Sequence, residues 1–113
     1  MNKLGFIGLL LCISNIVVAG TSSNDTKITN ISLVQEYGEF AFIKLATPPA
    51  RSDCSKNNHW DYTVSLETDF GRAQYSTVLA AFLADKTISM SGVSNGLCNE
   101  FGSVESMNTI QIN

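Results

Sequence analysis

The stretch WDYTVSLETDFGRAQYSTVLAAFLADK, residues 60–86, predicts a strand that is followed directly by a helix. Apolar and polar side chains alternate over residues 60–67, which is typical of a strand with one buried face and one face in water. Asp69 is a suitable helix N-cap, and Asp85 and Lys86 end a helix of about 15 residues. The apolar stripe of this helix, at spacing i, i+3, i+4 and i+7, consists of Tyr75, Val78, Leu79 and Phe82.

Strand signals lie on both sides of this unit. Upstream, a β-branched stretch at residues 28–34 and the run FAFIKL at residues 40–45 predict a hairpin with its turn at residues 37–39. Residues 47–53 contain two prolines, which remove backbone donors, so they predict a loop. Downstream, we expect strands at residues 87–93 and at about 103–112, separated by strong turn residues. These two strands are divided by Ser94, Asn95 and Gly96.

The predicted order of elements is therefore β-β-β-α-β-β. Five strands with one helix between the third and the fourth is the element order of the OB-fold, a small, partly open barrel. The sequence thus predicts a mainly β protein with one helix, an OB-fold-like small barrel, over residues 28–113. Another α+β meander could give the same order. Residues 20–27 are polar and have no apolar periodicity, so they predict a flexible N-terminal arm.

Residues 1–19 have the layout of a bacterial secretory signal peptide. Lys3 supplies a positive charge, and residues 4–19 carry no ionisable side chain except the thiol of Cys12. We expect cleavage after Ala19 and a secreted or periplasmic protein with no membrane insertion after cleavage. A transmembrane helix would need about 20 apolar residues, whereas this run has about 16 and contains two glycines. A lipid anchor at Cys12 is disfavoured by the large Leu11 before it.

Removal of the leader changes both the charge and the cysteine count. Without Lys3, six Lys and Arg residues stand against ten Asp and Glu residues, a net charge of −4. This charge argues against a nucleic-acid partner or an anionic membrane, which both favour basic patches. Cys54 and Cys98 remain, and an oxidising compartment favours a disulfide between them. A disulfide that closes a loop of about 45 residues would contribute roughly 4 kcal/mol to stability.

The residues that could act in catalysis or bind a metal ion favour a protein that is not an enzyme. His59 lies near Asp53 and Asp61, but a single histidine without a CxxC motif does not complete a zinc set, so no metal site and no cofactor are predicted. The sequence has no GxSxG motif of a serine hydrolase. Asp61, Glu67 and Asp69 could in principle act as paired carboxylates. We expect Asp61 and Glu67 to face solvent and Asp69 to cap the helix.

Three aromatic residues are candidates for a stacking surface. Trp60 and Tyr62 alternate with polar residues, and we expect both to share the core face of their strand with Val64 and Leu66. Tyr37, at the hairpin turn, is the better candidate for an exposed aromatic side chain.

The segment from Cys54 to Val93 resembles the secreted B-subunit family of AB5 toxins, typified by subtilase cytotoxin, and similar small exported bacterial proteins. The features that carry the resemblance cover about 40 of the 113 residues. They are the Cys-Ser opening at residues 54–55, the polar link at residues 55–58, Trp60, the Ser/Thr-rich strand, Tyr75 on a helix with small residues, and the β-branched strand that follows. Unlike the toxin subunits, this chain has no cysteine at residues 40–45.

The resemblance implies an OB-fold that assembles as a ring of five and binds a glycan near its first strands. On this basis the expected ligand-binding residues are Thr29, Ser32, Glu36 and Tyr37. The alternative is a small exported interaction protein that binds or inhibits a protein partner through residues 47–53 or an exposed strand edge.

Overall fold

The computed structural model describes residues 20–113, and the predicted leader, with Cys12 and the cleavage site at Ala19, lies outside the described residues. Residues 20–113 form six β-strands, one α-helix and a 3-10 turn at Gln35–Tyr37. In chain order the elements are β1 (Ser22–Thr26), β2 (Ile28–Leu33), β3 (Phe40–Leu45), β4 (Tyr62–Ser65), α1 (Asp69–Leu83), β5 (Ile88–Gly92) and β6 (Met107–Ile112). The predicted order β-β-β-α-β-β is thus present, with one additional strand at its start.

The strands form two antiparallel sheets of three strands each, in the orders β1-β5-β6 and β2-β3-β4. Only Lys27 separates β1 from β2, so one continuous segment supplies a strand to each sheet. An isolated parallel bridge between Thr63 and Ser106 links β4 to the residue before β6. The mainly β class with one helix is confirmed. Within residues 20–113 neither sheet closes on itself, so the barrel is not confirmed.

Residues 20–27 were predicted to form a flexible arm, and the structure corrects this prediction. β1 pairs with β5, and Ser23 and Thr26 are buried. The Ser23 hydroxyl donates to the carbonyl of Thr47 at 2.6 Å, and the Thr47 N–H donates to the Thr26 hydroxyl at 2.9 Å. Because the segment is held by backbone pairing and by hydroxyl groups, its polarity does not make it mobile.

The main core lies between the two sheets and α1. Its buried members are Ile28, Ala41, Ile43, Leu45, Tyr62, Val64, Val78, Ala81, Ile88, Met90 and Met107. The predicted helix stripe is only partly buried, because Val78 is in the core and Tyr75 packs against it, whereas Phe82 is exposed. Ala81, outside the predicted stripe, is also buried. Asp69 was predicted as the N-cap, but the cap is Thr68, whose hydroxyl accepts a 2.9 Å hydrogen bond from the N–H of Gly71.

The prediction that β4 has one face in water is wrong. Tyr62 and Val64 are buried as expected, but Asp61 and Thr63 are also fully buried. The polar face is covered by the segment before β6: Thr63 donates its N–H to the carbonyl of Glu105 and its hydroxyl to Glu100. A strand covered on both faces can alternate in polarity when its polar side chains have partners.

Residues 47–53 form a loop, as predicted, and it leads to the Cys54–Cys98 disulfide, which confirms the predicted bridge. The bridge joins the loop before β4 to the loop after β5 across a sequence separation of 44. Among the elements of residues 20–113, no helix has the length and apolar character needed to cross a bilayer.

Candidate functional site

The outward side of the β2-β3-β4 sheet carries an aromatic cluster. The odd positions of β3, Ala41, Ile43 and Leu45, enter the main core, so Phe40 and Phe42 point to the opposite side. We call this cluster the aromatic face; its members are Tyr37, Phe40, Phe42, Trp60 and Phe101. It forms because β3 is apolar on both sides, which gives the outer side its own small core with Val104.

Phe42 is the centre of the aromatic face. Its ring stacks on Trp60, with centroids 5.3 Å apart. It also makes edge contacts with Phe101 at 5.1 Å and with Tyr37 at 6.2 Å. Aromatic pairs at such distances are mutually attractive beyond the area that they bury. Phe42 itself is buried, so the rings around it form the surface.

Tyr37 is the exposed member of the aromatic face, and Trp60 and Phe101 are half-buried. Tyr37 is 52% exposed, and Trp60 is half-buried with the exposed His59 against its edge at 4.6 Å. Cross-strand pairing puts Ser32 opposite Phe42, and it puts Asn30 opposite Lys44 on the same side of the sheet. An aromatic surface is therefore bordered by a hydroxyl, an amide and an ammonium group.

The four predicted ligand-binding residues have different places. Ser32 and Tyr37 both adjoin Phe42, and the structure therefore brings them together at the aromatic face. Thr29 is exposed at the other end of β2, where its hydroxyl donates to the carbonyl of Lys44 at 3.3 Å. Glu36 is exposed in the 3-10 turn. Beside this turn lies a mainly apolar cleft of about 300 Å³, lined by Leu33, Val34, Gln35, Gly38, Glu39, Phe40 and Leu66.

The carboxylates that were considered for catalysis are dispersed. Asp61 was predicted to face solvent, but it is fully buried, with Arg51 at 3.0 Å and with the N–H of Leu45 donating to its other oxygen at 2.7 Å. Asp69 pairs with Arg72 on the surface of α1, and Glu67 is exposed, as predicted. Among residues 20–113, no His, Cys, Asp and Glu side chains are grouped in a way that could hold a metal ion.

A buried polar cluster lies under the start of β1. The Thr21 hydroxyl donates to Glu105 at 2.6 Å and is 2.8 Å from the hydroxyl of Tyr62. Burial, the largest cause, together with the nearby carboxylates of Glu105 and Asp61, raises the pKa of Tyr62 to about 12, although the hydrogen bond with Thr21 acts in the opposite direction. Tyr62 is therefore a neutral, structural tyrosine.

Comparison with protein-family models, with curated proteins and with solved structures finds no match to this chain. The fold and the geometry of the aromatic face are consequently the observations from which a function is argued.

Sequence reasoning did not identify Phe101 as part of the candidate site, nor Glu105 as a buried residue. Phe101 lies in an irregular segment, where no periodicity marks the side chain as inward or outward. One usable signal was the run FAFIKL of β3. Because large side chains occupy alternate positions that must face away from the core, this run indicates that a second apolar layer covers the strand.

Proposed function

We propose that the chain is an exported bacterial protein whose domain, residues 20–113, is a non-catalytic binding domain for a glycan, with the aromatic face as its binding surface. The observation that carries this proposal is the exposed Tyr37 beside Ser32 and the Phe42–Trp60 stack. A sugar ring presents apolar C–H groups on one side and hydroxyl groups at its edge. An aromatic surface bordered by Ser32, Asn30 and Lys44 complements both.

A glycan array probed with residues 20–113 tests this function. We expect binding to a restricted set of glycans, and we expect Tyr37→Ala to weaken it by about tenfold or more, since an aromatic contact and its hydrogen-bonding edge are lost together. Phe70→Ala is the matched control, because Phe70 is a 71% exposed aromatic residue on α1. A chain that binds no glycan, or that loses binding equally in both variants, contradicts the proposal.

For the fold, we propose an OB-like barrel in which β1 and β2 together are the first strand. Two features support this arrangement. β1 and β2 follow each other directly yet belong to different sheets. At the opposite edges of the two sheets, the parallel bridge from Thr63 to Ser106 links β4 to the residue before β6. The position of α1 between β4 and β5 is consistent with it.

The resemblance to AB5 toxin B subunits further suggests a homo-oligomer, with five subunits if the likeness extends to assembly. The exposed apolar side chains of α1 support a surface for protein contact: Leu83 is 79% exposed and Phe82 is 37% exposed. The same observation favours the second candidate function, an interaction protein with a different partner. Light scattering separates them, because a mass of about five chains supports the ring. A single-chain mass together with a stoichiometric protein partner from the cell envelope supports the alternative.

A further inference from the structure

Glu105 is a buried carboxylate for which the described residues supply no cation. Its side chain is in the protein interior, with the residue 1% exposed. The ion pairs among residues 20–113 are Lys27–Asp85, Arg51–Asp61 and Arg72–Asp69, and none includes Glu105. A buried carboxylate without a positive partner is unfavourable, so a nearby positive group would stabilise the fold.

The hydrogen-bond donors to Glu105 come from the start of the described chain. The N–H of Thr21 donates to one carboxylate oxygen at 3.2 Å, and its hydroxyl donates to the other at 2.6 Å. The nitrogen of Gly20 is three covalent bonds from the nitrogen of Thr21 and therefore lies within about 4 Å of it. The Gly20 nitrogen is thus close to the nitrogen that already donates to Glu105.

Gly20 is itself tightly enclosed. A Cβ atom at this position would lie 2.3 Å from the carbonyl oxygen of Val93 and 2.4 Å from that of Gly92. The N–H of Gly92 donates to the carbonyl of Thr21 at 2.8 Å, so the backbone here is anchored to the end of β5. Two carbonyl oxygens thus lie against Gly20, and the Glu105 carboxylate lies against the next residue, Thr21. Carbonyl and carboxylate oxygens both accept hydrogen bonds from an ammonium group.

We propose that Glu105 is the receptor for the α-ammonium group that cleavage after Ala19 creates at Gly20. Hydrolysis of the Ala19–Gly20 peptide bond consumes one water molecule and leaves a carboxylate on the released leader and an amino group on Gly20. This amino group is protonated at neutral pH. It then forms a charge-assisted hydrogen bond with Glu105, which Thr21 already holds in place. The inference rests on the proposed export, because it requires this cleavage.

The test compares residues 20–113 with a free amino group at Gly20 and the same chain acetylated there. The described strands, α1 and the disulfide all lie within these residues, so the test uses this range. Acetylation keeps the N–H donor and removes the charge. We expect the free chain to have an unfolding equilibrium constant about tenfold lower, because hydrogen bonds to charged groups are the strong ones. In the Glu105→Gln variant, the unfolding equilibrium constants of the free and the acetylated chain should differ by about twofold or less.

The inference is overturned if acetylation does not change the unfolding equilibrium constant of the unmutated chain. It is also overturned if acetylation has the same effect in Glu105→Gln as in the unmutated chain. If Glu105→Gln does not fold, the rate at which the Gly20 amino group of the unmutated chain is acylated tests the inference instead. We expect the group to react at least about tenfold more slowly in the folded chain than in urea, and equal rates would contradict the pairing.

Cleavage is measured separately, by the mass of the chain exported from a bacterial host. A new N-terminus at another residue overturns both the proposed leader and the pairing. Cleavage after Ala19 without an effect of acetylation overturns the pairing alone. Neither result depends on glycan binding by the aromatic face.

Discussion

At the scale of single residues, the interior of this small domain contains an unusual number of polar groups that depend on one another. Tyr62 contacts Thr21, Thr21 contacts Glu105, and Asp61 next to Tyr62 is paired with Arg51. Each of these groups would be unfavourable alone in the core, and the network stabilises it by providing partners. Tyr62 is the member of this network whose pKa is raised, chiefly by burial.

We predict that the domain loses stability between pH 10 and pH 12 through Tyr62. Its pKa is raised from 10.0 to about 12 in the folded chain, so the contribution is complete below pH 10 and is lost as the pH rises toward 12. The loss should reach about 2–3 kcal/mol in the free energy of unfolding, measured by urea unfolding at successive pH values.

The matched control for Tyr62 is Tyr62→Phe, in which Thr21 can still donate to Glu105. This variant should be less stable at neutral pH but should have a smaller loss between pH 10 and 12, whereas Tyr75→Phe should behave as the unmutated chain does. An equal alkaline loss in Tyr62→Phe would show that another group is responsible.

At the scale of elements, the sequence predicts what apolar periodicity encodes. β2, β3 and α1 agree with their predicted positions, because β2 is β-branched, β3 is an apolar run, and the apolar residues of α1 repeat with helical spacing. β1 has only Ser, Asn, Asp and Thr, and no hydropathy pattern distinguishes it from an arm. Its pairing with β5 is a long-range contact that local sequence does not contain.

The residues of the candidate site also differ in whether local sequence predicts their positions. Tyr37 was predicted as an exposed aromatic residue at the hairpin, and both its local turn and its exposure follow from local sequence. Its neighbours Trp60 and Phe101 come from distant loops, so their assembly around Phe42 required the fold. The burial of Asp61 was likewise unpredictable, because its partner Arg51 lies in a loop with no regular pattern.

Two substitutions at the N-terminus of α1 test which of two adjacent residues, Thr68 or Asp69, caps the helix. We predict that Thr68→Ala lowers the free energy of unfolding by about 1 kcal/mol, because the hydroxyl that accepts the Gly71 N–H is lost. Asp69→Ala should cost less than Thr68→Ala, since it removes only a favourable charge near the helix dipole and an exposed pair with Arg72. Urea unfolding measures both, and the opposite ranking would assign the cap to Asp69.

At the scale of the whole molecule, the Cys54–Cys98 disulfide joins segments that belong to different halves of the fold. We predict that the double variant Cys54→Ser, Cys98→Ser loses roughly 4 kcal/mol of stability, as expected for a closed loop with a sequence separation of 44. Urea unfolding of residues 20–113 gives this value. The unmutated chain in reductant is the control and should approach the variant. A difference below about 1 kcal/mol would mean that the unfolded chain is already compact in this region.

The position of this bridge also determines how the protein responds to a single proteolytic cut. A single cut between residues 55 and 97, whether in the polar link, in α1 or in the strands beside it, leaves two polypeptides that remain covalently joined. A single cut in residues 46–53, by contrast, leaves β1, β2 and β3 attached to the remainder only by packing and hydrogen bonds. Here Arg51 is held by Asp61 and by the carbonyl of Trp60, and Pro49 is buried, so this linker, which the bridge does not span, is docked on the body of the protein. A covalent tie and a docked loop thus hold two different parts of the chain.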